Sequence, residues 1–502
     1  MTGTVLSPNV GWALLSLFGV IWVALGIYWG RKARSLDGFM VAGRNVGLAL
    51  GTATAVATWM TSNTTMLAPQ FALELGVWGM LAYSTAAFGL FLFAPMARRI
   101  REVMPSGYTS VEFMRLRYGP TTYGVFLVIS LFYSLTWMVS MGIAGGILLE
   151  ALSGIPYVYG MSIILLVCVI YTLFGGLFAV IGTDFIQSSI ILFGVVAVAI
   201  AVISRVSLEE VHANLVERRP MLLSALFPAA IIAIFNNMLF GIGEIFHSNV
   251  WWSRAFAMRE GVGTRAYALA GLLWLPIPIV AGFLGLAAPA LDVNVVRPDT
   301  VGPIVAAATL GEVGAVLVFI VVFCSLASSI DSLLAATSDV VTTEVVRPLF
   351  LRGASKQRLR TVAGFVIAGL GLLTWLACLP WPAIAGHLGS GGDFHENVIA
   401  AGQPIGTLAT VLFLAGPLVG ATIWPILTGL YLKRSSAAGA STAMVAGAGC
   451  GLVAYFEIGW YAATLVGTGV SFAITALTVW LLPATFEWSR LSGAELREGA
   501  AA

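Results

Sequence analysis

Long apolar runs of about twenty residues, separated by short polar or basic stretches, recur along all 502 residues. A helix of ~20 apolar residues crosses a ~30 Å hydrocarbon core, which predicts thirteen spans near 9–29, 45–74, 77–97, 121–150, 157–180, 183–206, 222–252, 266–290, 311–345, 359–379, 405–431, 437–458 and 461–482. The runs are too long and too evenly apolar for the alternating pattern of barrel strands. An all-α polytopic membrane protein is therefore expected, a single transmembrane domain over 1–502. The first run is too long for the core of a signal peptide and reads as a retained span. Residues 103–120 are too polar to span and are expected along the inner face. The stretch 380–404, with Pro380, Pro382, Gly389, Gly391, Gly392 and His395, reads as an outer loop, and 489–502 as a short cytoplasmic tail.

Basic residues orient the spans. With the N-terminus outside, Arg31, Lys32, Arg34, Arg44, the arginines of 98–117, Arg254, Arg259, Arg265, the basic residues of 347–360, Lys433, Arg434, Arg490 and Arg497 all lie inside. Only Arg205, Arg218, Arg219 and Arg297 of the 25 basic residues fall outside, as the positive-inside rule requires. A multi-pass protein of the cell's inner (plasma) membrane with a cytoplasmic C-terminus is expected. Composition agrees: 59% of residues are hydrophobic and 10% charged, against about 25% charged in a soluble domain. That excludes a soluble enzyme, a nucleic-acid binder and a disordered chain. Cys168, Cys324, Cys378 and Cys450 are far apart within apolar runs and read as small buried residues.

Charges inside a span cost roughly 2.5–3.5 kcal/mol each, so Glu74, Asp184, Glu244, Asp331, Asp339 and Glu457 each need a reason. Glu74, Asp339 and Glu457 are read as helix-end acids near water. With no Lys or Arg between 44 and 98 or between 117 and 205, the interior favours bound cations. In the ninth span Ser325, Ser328, Ser329 and Ser332 share one helical face, and hydroxyls with backbone carbonyls suit a hard cation. Small residues for close helix packing are the alternative. The second span places Thr58, Thr61, Ser62, Asn63, Thr64 and Thr65 around Trp59 and Met60, where hydroxyl competition for backbone bonds predicts a break. The seventh, with Asn236, Asn237, Gly241, Gly243, Glu244, Ser248 and Asn249, is its match. Spans 2–6 and 7–11 then form two groups of five with opposite topology, and interrupted helices at matching places point to a transporter site.

These segments resemble the sodium:solute symporters. AGRNVG before the second span, GGLFAVIGTDFIQ with Asp184 and Gln187, SLASSIDS, and PILTGLYLKRSSAAGASTAMVAG carry the likeness in order from Ala42 to Gly447. The resemblance implies a LeuT-type fold of 5+5 inverted repeats: a leading helix at 9–29, repeats at 45–206 and 222–431, and two trailing helices at 437–482. It implies a Na+ site made of the carbonyls of Ala57, Met60 and Ser325 with the hydroxyls of Ser328 and Ser329. Asp184 matches an acid near a further cation or on the exit path; Asp331 has no assigned counterpart.

Within the family the urea-transporter branch is nearest by ATWMTSN, FGIGEIFHSNVWWSRAFAMRE and WLPIPIVAGFLGLAA. The expected activity is sodium-coupled import of a small polar solute, urea first, by alternating access. Trp59, Thr61, Asn63, Asn236 and Glu244 are the expected solute contacts, with Tyr133 and Trp137 behind them. A proline-like amino acid, a short carboxylate or a polyamine is the alternative cargo, and a transporter-like sensor the alternative class. No organic cofactor is expected; the expected partners are the solute and membrane lipid, with no nucleic acid, and the oligomeric state is left open. Scattered histidines (His212, His247, His387, His395) offer no catalytic spacing, so no enzyme is expected.

Overall fold

The structure, a computed structural model, describes residues 4–31, 33, 35–388, 402 and 407–492. Lys32, Arg34, Gly389, Gly391, Gly392, His395 and Arg497, used above, lie outside the described residues. Among those described, the regular elements are helical, with one isolated bridge between Val46 and Met258.

The helices that matter here are α1 (Pro8–Gly30), α2 (Leu48–Trp59), α3 (Ser62–Ser84), α4 (Ala87–Val103), α5 (Ser110–Tyr118), α6 (Pro120–Ser153), α7 (Tyr157–Ile203), α8 (Pro228–His247), α9 (Asn249–Ala257), α10 (Val262–Trp274), α11 (Pro276–Ala287), α12 (Val301–Val340), α13 (Lys356–Cys378), α14 (Trp381–Leu388), α15 (Leu408–Phe413), α16 (Gly416–Tyr431), α17 (Ala437–Glu457) and α18 (Trp460–Leu481). The reading of 380–404 as a loop is corrected at its start, where α14 forms.

Eleven helical runs among the described residues are long and apolar enough to cross a membrane, against thirteen expected. Three of them are too long to be single spans: Pro298–Phe350, with 53 residues and a break at Gly311, and two that each merge a pair of expected spans. Ser62–Val103 has 42 residues and Tyr157–Ile203 has 47, which at 1.5 Å per residue would extend ~63 and ~70 Å, twice the hydrocarbon core. Each is interrupted at one glycine of left-handed φ, Gly76 (φ 71°, ψ −148°) and Gly176 (φ 51°, ψ −146°). A Cβ at Gly76 would also lie 1.9 Å from the Leu222 carbonyl oxygen, and one at Gly176 2.6 Å from that of Phe39. Gly76→Ala should therefore prevent accumulation of folded protein, read as loss of the monodisperse peak in detergent; normal yield would contradict the packing described.

The core is built by α12 lying along α7 and α6, with α3 along α11 and α10 along α4 and α2. Cys168, Cys324 and Cys378 are buried free thiols, while Cys450 is exposed on α17, contrary to expectation. The polar 103–120 segment forms α5. Thr109 caps it, accepting from the Glu112 N–H at 3.0 Å, while the Glu112 carboxylate accepts from the Tyr108 N–H at 2.9 Å, a reciprocal N-terminal cap.

Burial, with Glu344 close by, pushes the Glu112 carboxyl up to about 7, opposed by the Tyr108 and Thr109 contacts and by Arg115. A raised carboxyl favours the fold most when neutral. Its stabilisation is complete below its ordinary 4.5 and is lost as pH rises through about 7. Melting should fall between about pH 5 and about pH 8, and Glu112→Gln should flatten that slope; an unchanged slope in the variant would assign it to another group.

Candidate functional site

The second predicted span is broken where its hydroxyls cluster. α2 ends at Trp59, Met60 leaves the helical region (φ −84°, ψ 72°), and Thr61 restarts the chain as the cap of α3, accepting from the Thr64 N–H at 3.2 Å. A helix end frees its last four carbonyls. The Trp59 carbonyl is taken by the Trp274 indole N–H at 2.7 Å and the Thr64 hydroxyl at 3.0 Å. The Ala57 carbonyl accepts from the Ser328 hydroxyl on α12 at 3.0 Å.

That contact joins the broken helix to the serine face. Ser325, Ser328, Ser329 and Ser332 are all buried, and the Ser325 carbonyl accepts from both the Ser329 hydroxyl (2.9 Å) and the Ser328 hydroxyl (3.3 Å). Four of the five expected sodium-ligand groups, those of Ala57, Ser325, Ser328 and Ser329, are thus connected directly. The fifth, Met60, lies fully buried at the break. Neutral oxygens grouped at a helix break have the chemistry a hard monovalent cation takes.

The second group of helices is broken too, at Ser248, which has extended backbone (φ −69°, ψ 130°) and caps α9. α9 carries the largest departure from the sequence reading. Arg254, counted with the basic inner residues, is completely buried. Its Nη2 lies 3.2 Å from Asp184 Oδ2 and 2.7 Å from Ser332 Oγ, its Nε donates to Thr54 Oγ1 at 3.0 Å, and its Nη1 donates to the Val250 carbonyl at 3.0 Å. Thr54 in turn donates to Asp184 Oδ2 at 2.5 Å. The interior is therefore not free of basic residues. One guanidinium ties α2, α7 and α12 to α9, and the backbone bonds of Val46 with Ala257 and Arg259 fasten the far ends of α2 and α9 to each other.

Asp184 Oδ1 and both side-chain polar atoms of Gln187, one turn on, have no partner. Asp331 accepts from Tyr171 at 3.0 Å and from Ser332 at 3.3 Å. Asp339 is buried with one oxygen unpaired, which corrects its placement near water. Glu74 is held by Gln70 at 2.9 Å, and Glu457 is exposed.

Beyond the break, Trp59, Thr61, Tyr83, Trp137, Asn237, Glu244 and Trp274 surround a narrow cavity of about 10 Å³, room for about one water. Three buried polar atoms of these residues have no partner: Trp59 Nε1, Trp137 Nε1 and Glu244 Oε2. Of the five expected solute contacts, the cavity brings together Trp59, Thr61 and Glu244. Asn63 instead accepts from Ser140 at 3.2 Å. Asn236 turns to α18, accepting from the N–H groups of Thr464 (2.8 Å) and Leu465 (3.1 Å) and donating to the Trp460 carbonyl, so it ties α8 to the first turns of that helix. Its neighbour Asn237 takes the cavity position, donating to the carbonyls of Ala82 (2.8 Å) and Tyr83 (3.1 Å). Tyr133 and Trp137 both face Glu244.

Apolar helices with two interrupted members around buried polar groups define a membrane carrier. Residues 39–383 match the sodium:solute symporter family, and the chain belongs to it. It is 25% identical over 497 residues to a urea–proton symporter of Oryza sativa subsp. japonica, covering 90% of this chain and 66% of that one. It is also 25% identical over 458 residues to the osmoregulated proline transporter OpuE of Bacillus subtilis (strain 168), covering 88% and 87%. The chain spans just under two thirds of the length of the urea transporters it matches. The solved structure of a Na+-coupled sialic acid symporter superposes with a TM-score of 0.74 at 18% identity, over 95% of this chain and 99% of that one. The fold is therefore that of the LeuT-like transporters, and the relatives are transporters rather than enzymes.

Proposed function

We propose that this protein is a sodium-coupled symporter that imports a small polar solute, urea best, across the cell's inner (plasma) membrane, its N-terminus outside and C-terminus within. The observation that carries the proposal is the Ser328–Ala57 contact at the helix break, which groups neutral oxygens beside a cavity holding unpaired polar atoms. Sodium takes the carbonyls of Ala57, Met60 and Ser325 and the hydroxyls of Ser328 and Ser329. Asp184 Oδ1, unpaired beside Gln187, is a stopping place on the exit path. The repeats are 45–206 and 222–431 after a leading helix, with 437–482 trailing and 489–502 as tail.

The cavity favours urea chemically. The Trp59 indole N–H suits its single carbonyl oxygen and the Glu244 carboxylate, faced by Tyr133 and Trp137, suits its amide N–H groups, with Thr61 at the edge. An unpaired buried polar group costs about 1–3 kcal/mol, so an apolar mimic of equal size is rejected. The cavity must widen to admit even urea, and sodium coupling follows if the ion binds the widened state better. A proline-like cargo is the second reading, favoured by the likeness to the proline transporter over nearly its whole length.

Purified protein melted with urea, proline, short carboxylates, sugars and polyamines, in sodium and then in potassium, tests both. A ligand at a hundred times its Kd adds about 2.7 kcal/mol. A urea response confined to sodium supports both assignments; a response to proline alone moves the cargo, and one indifferent to sodium moves the coupling ion. Ser329→Ala tests the ion site. Losing an oxygen on a cation forfeits about 1.5–3 kcal/mol, so half-saturating sodium should rise at least about tenfold; an unchanged value removes Ser329 from the site.

A further inference from the structure

We infer that the cleft between the start of α6 and the turn after α12 binds the headgroup of an anionic phospholipid. This cleft, about 780 Å³ in volume, is far larger than the solute cavity and lies apart from it. One wall is Tyr123 and Leu127 of α6; the other is the segment from Thr343 to Gly353. α12 continues there into a π-helical turn, Val341–Val346, a wide turn that proteins keep mostly where it has a use. The turn is pinned by the Tyr123 hydroxyl, which donates to the Glu344 carbonyl at 2.5 Å.

Charge and polarity together indicate what fits. Three guanidinium groups, those of Arg115, Arg347 and Arg352, line the cleft against one carboxylate, Glu344, which Arg115 meets at 3.1 Å. Two positive charges are left over. Around them the surface is apolar: Leu349 is 65% exposed, Phe350 76% and Val128 on α6 67%. A free anion would satisfy the arginines and make no use of those side chains. A phospholipid satisfies both, phosphate against the guanidinium groups and acyl chains against the flanking apolar residues. Basic pockets between helix ends are where anionic headgroups settle. Glu344 belongs to the helical run that carries Ser325–Ser329, so a phosphate drawing Arg115 away from Glu344 acts on the end of that helix.

The test uses the full-length protein, delipidated in detergent and offered phosphatidylglycerol, phosphatidylcholine or inorganic phosphate. Retention is read by native mass spectrometry and stability by melting. Wild type should retain phosphatidylglycerol in preference to phosphatidylcholine and melt higher with it, while phosphate alone changes nothing. At about 1 kcal/mol per basic residue near the headgroups, Arg347→Gln with Arg352→Gln should weaken that preference roughly 30-fold. Equal retention of the two lipids by wild type would overturn the assignment, whatever the variant does. So would a double variant that still prefers phosphatidylglycerol, or a melting shift that phosphate reproduces.

Discussion

Replacing Arg254 with alanine should lower the stability of the protein more than any other single change to a charged side chain in the bundle. The guanidinium is completely buried and meets Asp184, Thr54, Ser332 and the Val250 carbonyl. Removing it leaves the Asp184 charge in a low-dielectric interior without its cation, and breaking one side of a buried pair costs about 3–5 kcal/mol. Adding Asp184→Asn should restore much of the loss, because the stranded charge disappears with its partner. Arg254→Lys should fall between, since one ammonium cannot reach all the acceptors that the guanidinium fork spans. Thermal melts of the four proteins in detergent decide it. If the double variant melts no higher than Arg254→Ala, the pair is not what holds α9 against α2, α7 and α12.

Glu244→Gln should weaken solute binding ten- to a hundredfold, the ~1.5–3 kcal/mol of a hydrogen bond to a charged group, while the response to sodium persists. Glu244 Oε2, Trp59 Nε1 and Trp137 Nε1 are buried without partners, and groups in that condition are expected to gain them from a ligand or water. Trp137→Phe, which keeps the ring and removes the N–H, should give a smaller loss of the same kind. Solute-dependent melting and uptake at saturating sodium are the measurements. Wild-type solute affinity in Glu244→Gln would take the carboxylate out of the pocket, and a lost sodium response would mean that the substitution disturbs more than the pocket.

Much of the fold was legible because lipid imposes a simple rule on sequence: apolar runs of one length, and polar groups only where something holds them. The break at Met60 could be read from the crowd of hydroxyls around Trp59, and the serine face of α12 from helical spacing alone. Gly76 and Gly176 explain why thirteen runs appear as eleven helices, since one left-handed residue divides a run without leaving a polar gap. Arg254 was not legible. It follows two tryptophans and precedes a phenylalanine, beside other basic residues, and only the tertiary approach of Asp184, 70 positions away, separates it from a loop arginine. Asn236 and Asn237 pose a similar difficulty: adjacent on one helix, they differ by ~100° in direction, and the chain alone does not say which faces the cavity.

The hydrogen bond from Ser328 to the Ala57 carbonyl has a consequence for the proposed ion site. The oxygens proposed for sodium are not waiting bare; donor and acceptor satisfy each other across the junction of α2 and α12. If sodium binds there as proposed, it must turn that hydroxyl proton aside, so binding would exchange one contact for another. Under the proposed sodium site, the affinity for the ion would therefore be set by the difference between that contact and the ones that replace it.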